Sequence, residues 1–143
     1  KFPKQLIENN KITLMEGQKD KKDHLNLYNK IDVALDTFPY NGVTTSIEAI
    51  WMGVPVLTLK GYNFTSRCGE SININCNLKE FIAKNKNDYI QKAIDLTKNT
   101  DSLVRLKENL REESSKTTLF NTKKFTDELS KQLINLWEKN NTI

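Results

Sequence analysis

The chain has 143 residues, of which 37% are hydrophobic and 28% charged, with a formal net charge of +4. Those proportions suit a globular domain with enough apolar surface to bury a core, and no apolar run approaches the roughly 20 residues of a membrane span. The positive balance is carried by lysine, with Arg67, Arg105 and Arg111 the only arginines, and it is scattered. A nucleic-acid binder gathers its charge into a stripe with arginines and stacking aromatics, so neither nucleic acid nor a membrane is expected as a partner.

The densest basic cluster, Lys19, Lys21 and Lys22, is interrupted by Asp20 and Asp23. Cys68 and Cys76 form no Cys-x-x-Cys pair and His24 is the only histidine, so no metal site is expected. Two buried free thiols fit a reducing compartment, the cytoplasm. The glycosylation patterns at 63–65 and 140–142 would matter only in a secreted protein. The opening KFPK has no apolar stretch behind it and is not a signal peptide. It reads as a cut end within a longer chain.

In chain order, the run ITLM at 12–15 is β-favouring, and a lysine-rich turn follows. Residues 23–30 read as a helix with Leu25 and Tyr28 on one face. IDVALDT at 31–37 is the clearest strand. FPYNG at 38–42 carries strong turn signals. Residues 44–52 read as a helix closed by Gly53, and 54–59 as a second buried strand with Pro55 near its start, where proline is tolerated. Strands and helices alternating at this spacing imply a parallel sheet with helices on both faces. From residue 87 the pattern turns helical: Tyr89, Ile90, Ala93, Ile94 and Leu96 share helical spacing, and Asp101 is placed to cap a helix carrying Leu103, Leu106 and Leu110. A long amphipathic helix at 122–138 presents Phe125, Leu129, Leu133, Ile134, Leu136 and Trp137. The chain, 1–143, is one α/β domain with a helical C-terminal tail.

The informative segment is DTFPYNGVTTSIE at 36–48. A strand ends, a glycine-containing loop turns, and a helix begins at Thr44 and Thr45. Ligands of open α/β sheets bind beyond the carboxyl ends of the strands. A helix N-terminus there offers unpaired amides and a positive dipole end, which suits a diphosphate. Gly42 lets the backbone turn and approach a ligand, the hydroxyls of Thr44 and Thr45 can donate to phosphate oxygens, and Glu48, one turn further on the same face as Thr44, can accept from ribose hydroxyls. The local pattern alone fits an equally simple alternative, in which Thr44 is an N-cap and Glu48 a solvated helix residue.

The stretch 31–59, IDVALDTFPYNGVTTSIEAIWMGVPVLTL, is similar to the catalytic C-terminal region of the O-GlcNAc transferase (SPINDLY-like) family. The likeness continues through FTSR at 64–67, LKEFIA at 78–83 and LFNTKKF at 119–125, and so covers nearly the whole chain in order. The resemblance implies the C-terminal, donor-binding half of a glycosyltransferase-B architecture, two Rossmann-like halves with the active site between them. It implies that Thr44 and Thr45 bind the UDP diphosphate, that Glu48 binds the ribose, that His24 stacks on the uracil and that Lys21 lies beside the nucleotide. On local pattern alone His24 reads equally as a structural histidine, and Lys19 or Lys22 could stand in for Lys21. Arg67 and Cys68 read as helix-start and packing residues.

Two positions depart from the family pattern. Val43 stands where some members have histidine, and Glu48 where the animal enzymes have aspartate. The resemblance also implies that a first βαβ portion with a phosphate-contacting lysine, the N-terminal half with the catalytic groups, and TPR repeats lie outside this sequence. It implies a parent enzyme that transfers a sugar, GlcNAc, from UDP to Ser or Thr of a protein acceptor, with inversion and without metal or other cofactor. No catalytic residue is expected within these 143 residues. Two other functions compete: a non-catalytic nucleotide-binding or protein-interaction module, and a basic helical module for nucleic acid.

Overall fold

A computed structural model describes residues 4–9, 11–17 and 20–141. Its centre is a parallel sheet in the order β1 (Ala34–Leu35), β2 (Val56–Leu59), β3 (Ile82–Ala83), with Ala34 opposite Val56 and Thr58 opposite Ile82. Parallel neighbours need a crossover between them. Helix α3 (Thr44–Trp51) makes the first and α4 (Cys68–Asn75) the second. Helices α5 (Lys86–Lys98), α6 (Thr100–Ser115) and α7 (Thr122–Asn141) follow. Ahead of the sheet lie α1 (Lys4–Glu8) and α2 (Lys21–Asn26), the latter running into a 3-10 turn at Leu27–Lys30.

Alternation along β2 sorts the two faces. Val56 lines a cleft with Gly42, Thr45 and Ser46 of the α3 start, and Thr58 lies against Gly69 of α4. Leu57 points the other way, toward Leu96 of α5 and Leu103 and Leu106 of α6. Helices therefore cover both faces, and the fold is a Rossmann-like α/β unit with a helical tail. The core is built from Ile50, Val54, Val56, Leu57, Leu78 and Phe81, with Tyr28, Tyr89 and Leu106 packed against it. Burying an aliphatic side chain of this size is worth about 1.5–3 kcal/mol.

Helix α3 closes as its sequence dictates. Gly53 adopts φ +80° one residue past the C-cap, Met52, the left-handed conformation that glycine reaches without strain.

Several expectations are corrected. The run 12–15 forms no strand; Leu14 and Met15 stand exposed, and β-favouring residues without a neighbouring strand to pair with gain nothing from extension. Strand β1 is shorter than 31–37, since β2 pairs it only at Ala34 and Leu35. Asp101 lies in the first turn of α6, and Asn99 holds the cap position. Cys76 is buried, but Cys68 is only half-buried. Helix α4 escaped the pattern reading beyond its start at Arg67.

Two surfaces stay uncovered. The outer edge of β1 has no partner strand among the described residues, and beside it Ile31, Val33, Leu35, Ile94 and Val104 line an apolar groove of ≈ 740 Å³. Helix α7 leaves Phe125, Leu129, Leu133 and Trp137 exposed by 64%, 46%, 58% and 68%. Residues 1–3, Lys19 and Thr142 lie outside the described residues, and so do the expectations attached to them. No helix among the described residues is long and apolar enough to cross a membrane.

Candidate nucleotide-binding site

The site forms where β1 runs out toward α3. The loop 37–43 leaves the carboxyl end of the strand, makes a cis peptide between Phe38 and Pro39, and delivers the chain to Val43, the N-cap of α3. Valine has no side-chain acceptor, and no side chain caps α3. Two other helices do have a side-chain cap: Asp20 accepts from the amides of Lys22 and Asp23 at the start of α2, and Asn85 from Asp88 at the start of α5, whereas α4 and α6 resemble α3 in having none. The first-turn amides of α3 are left for another acceptor. Thr44 and Thr45, the first two helical residues, are exposed. Thr44 is thus not the cap that its local pattern allowed.

Gly42 serves a different purpose from the one its turn suggests. Its φ is not in the left-handed region, where Gly53 is the only glycine. Instead, a Cβ here would stand 2.5 Å from Thr45 Oγ1 and 3.0 Å from Ser46 Oγ. The missing side chain makes room for the Thr45 hydroxyl, and Ser46 returns a hydrogen bond to the Gly42 carbonyl at 3.0 Å. The side chains of α3's first turn therefore fold back over the loop that precedes them.

One turn along α3, Glu48 meets His24. The structure brings Nε2 of His24 to 3.3 Å from Oε2 of Glu48 across 24 residues of sequence. Both are half-buried. The edge of the Tyr28 ring packs against His24 at 5.7 Å between centroids, and the Tyr28 hydroxyl donates to the Thr45 carbonyl at 3.2 Å. Burial first, and the Glu48 charge second, push the Tyr28 phenol above its usual range, so it stays a donor. Tyr28 was legible only as a helix-face residue; its link between the His24 helix and the Thr pair is a tertiary fact. Lys21 is the first residue of α2, exposed, one turn before His24 on the same face.

Beyond the carboxyl end of β2, Glu70 is a buried carboxylate gripped by Lys60 Nζ at 2.7 Å and Arg67 Nε at 2.8 Å. The hydrogen bond from Lys60 is the main reason its carboxyl titrates below the usual range. This pairing fixes the start of α4 beside the end of β2. Among the described residues no group of three His, Cys, Asp or Glu side chains gathers in a way that would hold a metal ion.

The fold is a Rossmann-like α/β unit whose α3 starts, without a side-chain cap and with two exposed threonines, at the carboxyl end of the edge strand, the place where open α/β sheets receive ligands. Comparison with known proteins narrows it: residues 3–129 match the family model described as glycosyl transferase family 41. The chain belongs to that family. It is 33% identical over 133 residues to a probable UDP-N-acetylglucosamine–peptide N-acetylglucosaminyltransferase SPINDLY of Eustoma exaltatum subsp. russellianum, covering 93% of this chain and 14% of that protein. With the protein of the same description from Solanum lycopersicum it shares 36% over 117 residues, 82% of this chain and 13% of the relative. Among solved structures, a mutant of the Thermobaculum terrenum O-GlcNAc transferase superposes with a TM-score of 0.78 at 39% identity, over 84% of this chain and 23% of that one. The fold is thereby that of the Rossmann-like C-terminal half of the glycosyltransferase-B architecture. The chain spans about one seventh of the length of these curated relatives.

Proposed function

We propose that this chain holds the donor nucleotide of a UDP-sugar-dependent glycosyltransferase that moves GlcNAc to a Ser or Thr hydroxyl of a protein acceptor. One observation carries the reading: the uncapped start of α3, with Thr44 and Thr45 exposed on it, lies one helical turn from the point where Glu48 and His24 meet at 3.3 Å. A diphosphate takes the α3 amides and the two threonine hydroxyls. Glu48 then accepts from the ribose, His24 packs on the base and Lys21 approaches the nucleotide from the start of α2. The relatives' printed names, which specify UDP-N-acetylglucosamine and a peptide acceptor, support the choice of donor and acceptor.

In the reaction the acceptor oxygen forms a bond to the anomeric carbon from the face opposite the nucleotide. The bond from that carbon to the β-phosphate oxygen breaks, and UDP leaves with the electron pair. The acceptor proton goes to a base outside this chain. Charge grows on the departing diphosphate, where preorganised amides and hydroxyls stabilise it most. That arrangement needs no metal and inverts the anomeric centre.

The catalytic groups and acceptor site belong to a further lobe of the protein. The unpaired edge of β1 with its apolar groove, and the open face of α7, support this, since each is a surface of the kind a neighbouring lobe covers. The free thiols Cys68 and Cys76 support a cytoplasmic setting.

Thr45→Val and Glu48→Ala test the site. Each is expected to weaken UDP binding about tenfold, the loss of one hydrogen bond to a charged group, with an unchanged melting temperature. Calorimetric titration that finds wild-type affinity in both variants would remove the assignment.

A further inference from the structure

Asp36 is a carboxylate that the site does not use directly, yet it is only 8% exposed. Both its oxygens are engaged. Oδ1 accepts the Gly42 N–H at 2.8 Å, and Oδ2 accepts the Thr58 hydroxyl at 2.7 Å. Burial is the dominant influence on its carboxyl and pushes it above the usual range, against the opposing hydrogen bonds from Gly42, Thr58 and Thr37. The carboxyl of a solvated loop residue would carry no such cost. The fold keeps it in place with further contacts. From α5, the Tyr89 hydroxyl donates to the Asp36 carbonyl at 2.9 Å, and burial together with the Asp36 charge pushes that phenol up to about 12.

The backbone of α4 packs closely around the carboxylate. A Cβ at Gly69 would lie 2.6 Å from Asp36 Oδ2 and would collide with Thr58 Oγ1, so the start of α4 packs closely on the pair. Asn41, 1% exposed, holds the other end of the same loop: its Oδ1 accepts the Gly69 N–H at 3.3 Å, and its Nδ2 donates to the Thr37 carbonyl at 3.0 Å. Gly42 is thus fixed through its N–H by Asp36 and through its carbonyl by Ser46. Only Val43 separates Gly42 from Thr44.

We propose that Asp36 is the positioning residue of the nucleotide site: without touching the ligand, it sets the direction in which Thr44, Thr45 and the α3 amides face. This rests on the reading of α3 as the diphosphate site. It predicts a pattern that a purely structural residue would not give. An asparagine at 36 keeps an oxygen for Gly42 N–H, and the Thr58 hydroxyl can turn to accept from its amide. An alanine leaves Gly42 N–H without its acceptor and the loop free to shift.

The test is UDP affinity and thermal melting of the full chain as wild type, Asp36→Asn, Asp36→Ala and Thr58→Val. All are compared well below every melting point. UDP binding by the wild type is the control that tests the site reading itself; if the wild type binds no UDP, that reading fails and the proposal falls with it. Given wild-type binding, Asp36→Ala should lose about tenfold or more in affinity while folded. Asp36→Asn should stay within about threefold, and Thr58→Val, which frees Oδ2 alone, should lose a few-fold. If Asp36→Ala does not fold, the other two decide. Wild-type affinity in folded Asp36→Ala or in Thr58→Val overturns the proposal. So does an Asp36→Asn that loses as much as the alanine variant, since the role would then depend on charge rather than on position.

Discussion

Helix α3 has eight residues and buries Ser46, Ala49 and Ile50; helix α7 has twenty and buries none. Both carry an apolar stripe at helical spacing. The difference lies in what each stripe meets. Helix α3 is a crossover between two paired strands, so its apolar side lands on β2 and on α6. Helix α7 leaves the turn Thr118–Phe120 and keeps its main contacts with that turn. An amphipathic stripe therefore states that a helix wants a partner, not that it has one. In α3 the partners are the sheet and α6, and the start of the helix is left without a side-chain cap. In α7 the stripe stays exposed.

Ile50→Ala would sharpen this contrast most, as Ile50 is fully buried. It should cost about 2–5 kcal/mol in denaturant unfolding, whereas Leu133→Ala on α7 should change stability by less than about 0.5 kcal/mol in the 143-residue chain. A comparable cost at Leu133 would mean that α7 is packed after all. Gly42→Ala comes next. Its Cβ would have to displace the Thr45 hydroxyl, so the expected loss is about 1–3 kcal/mol of stability, accompanied by a loss of UDP affinity. Retained affinity would break the link between loop and site.

The smallest effect concerns Glu70. Its carboxyl titrates below its ordinary 4.5. Its contribution is therefore complete above that pH and is lost as the pH falls through the folded value. Glu70→Gln should cost about 1 kcal/mol at neutral pH, and the gap to wild type should close below pH 4.5. A gap that stays constant across the acid range would assign Glu70 a packing role instead.

Much of this was legible in the chain itself. Proline and glycine at 39, 42, 53 and 55 punctuate β1, α3 and β2, and the segment from Asp36 to Glu48 stands out as the passage from strand through loop to helix start. Other parts could not be read there. Helix α4 contains Gly69, Ser71, Asn73 and Asn75, all poor helix formers, and its alternating Ile72 and Ile74 mimic a strand. Tertiary contact supports it: Asn73, fully buried, donates to the Val56 carbonyl at 2.8 Å and ties α4 to β2, a contact that exists only once the sheet has formed. Likewise Asp36 reads as the polar end of a strand. Its role depends on Thr58, which lies 22 residues away and comes alongside only through the pairing of β1 with β2. A helix start leaves a local motif in the chain, whereas the residues that hold it in place do not.

The central claim is that α3 presents a nucleotide diphosphate site completed by Glu48 and His24. Titration with UDP under amide-detected NMR, with GDP and a nucleic-acid oligomer as controls, tests it most directly. The account predicts selective perturbation by UDP of the Thr44, Thr45, Glu48 and His24 signals, with those of α7 unmoved. Perturbations spread over the lysine-rich surface and matched by the oligomer, or no response to UDP at the α3 start, would contradict it.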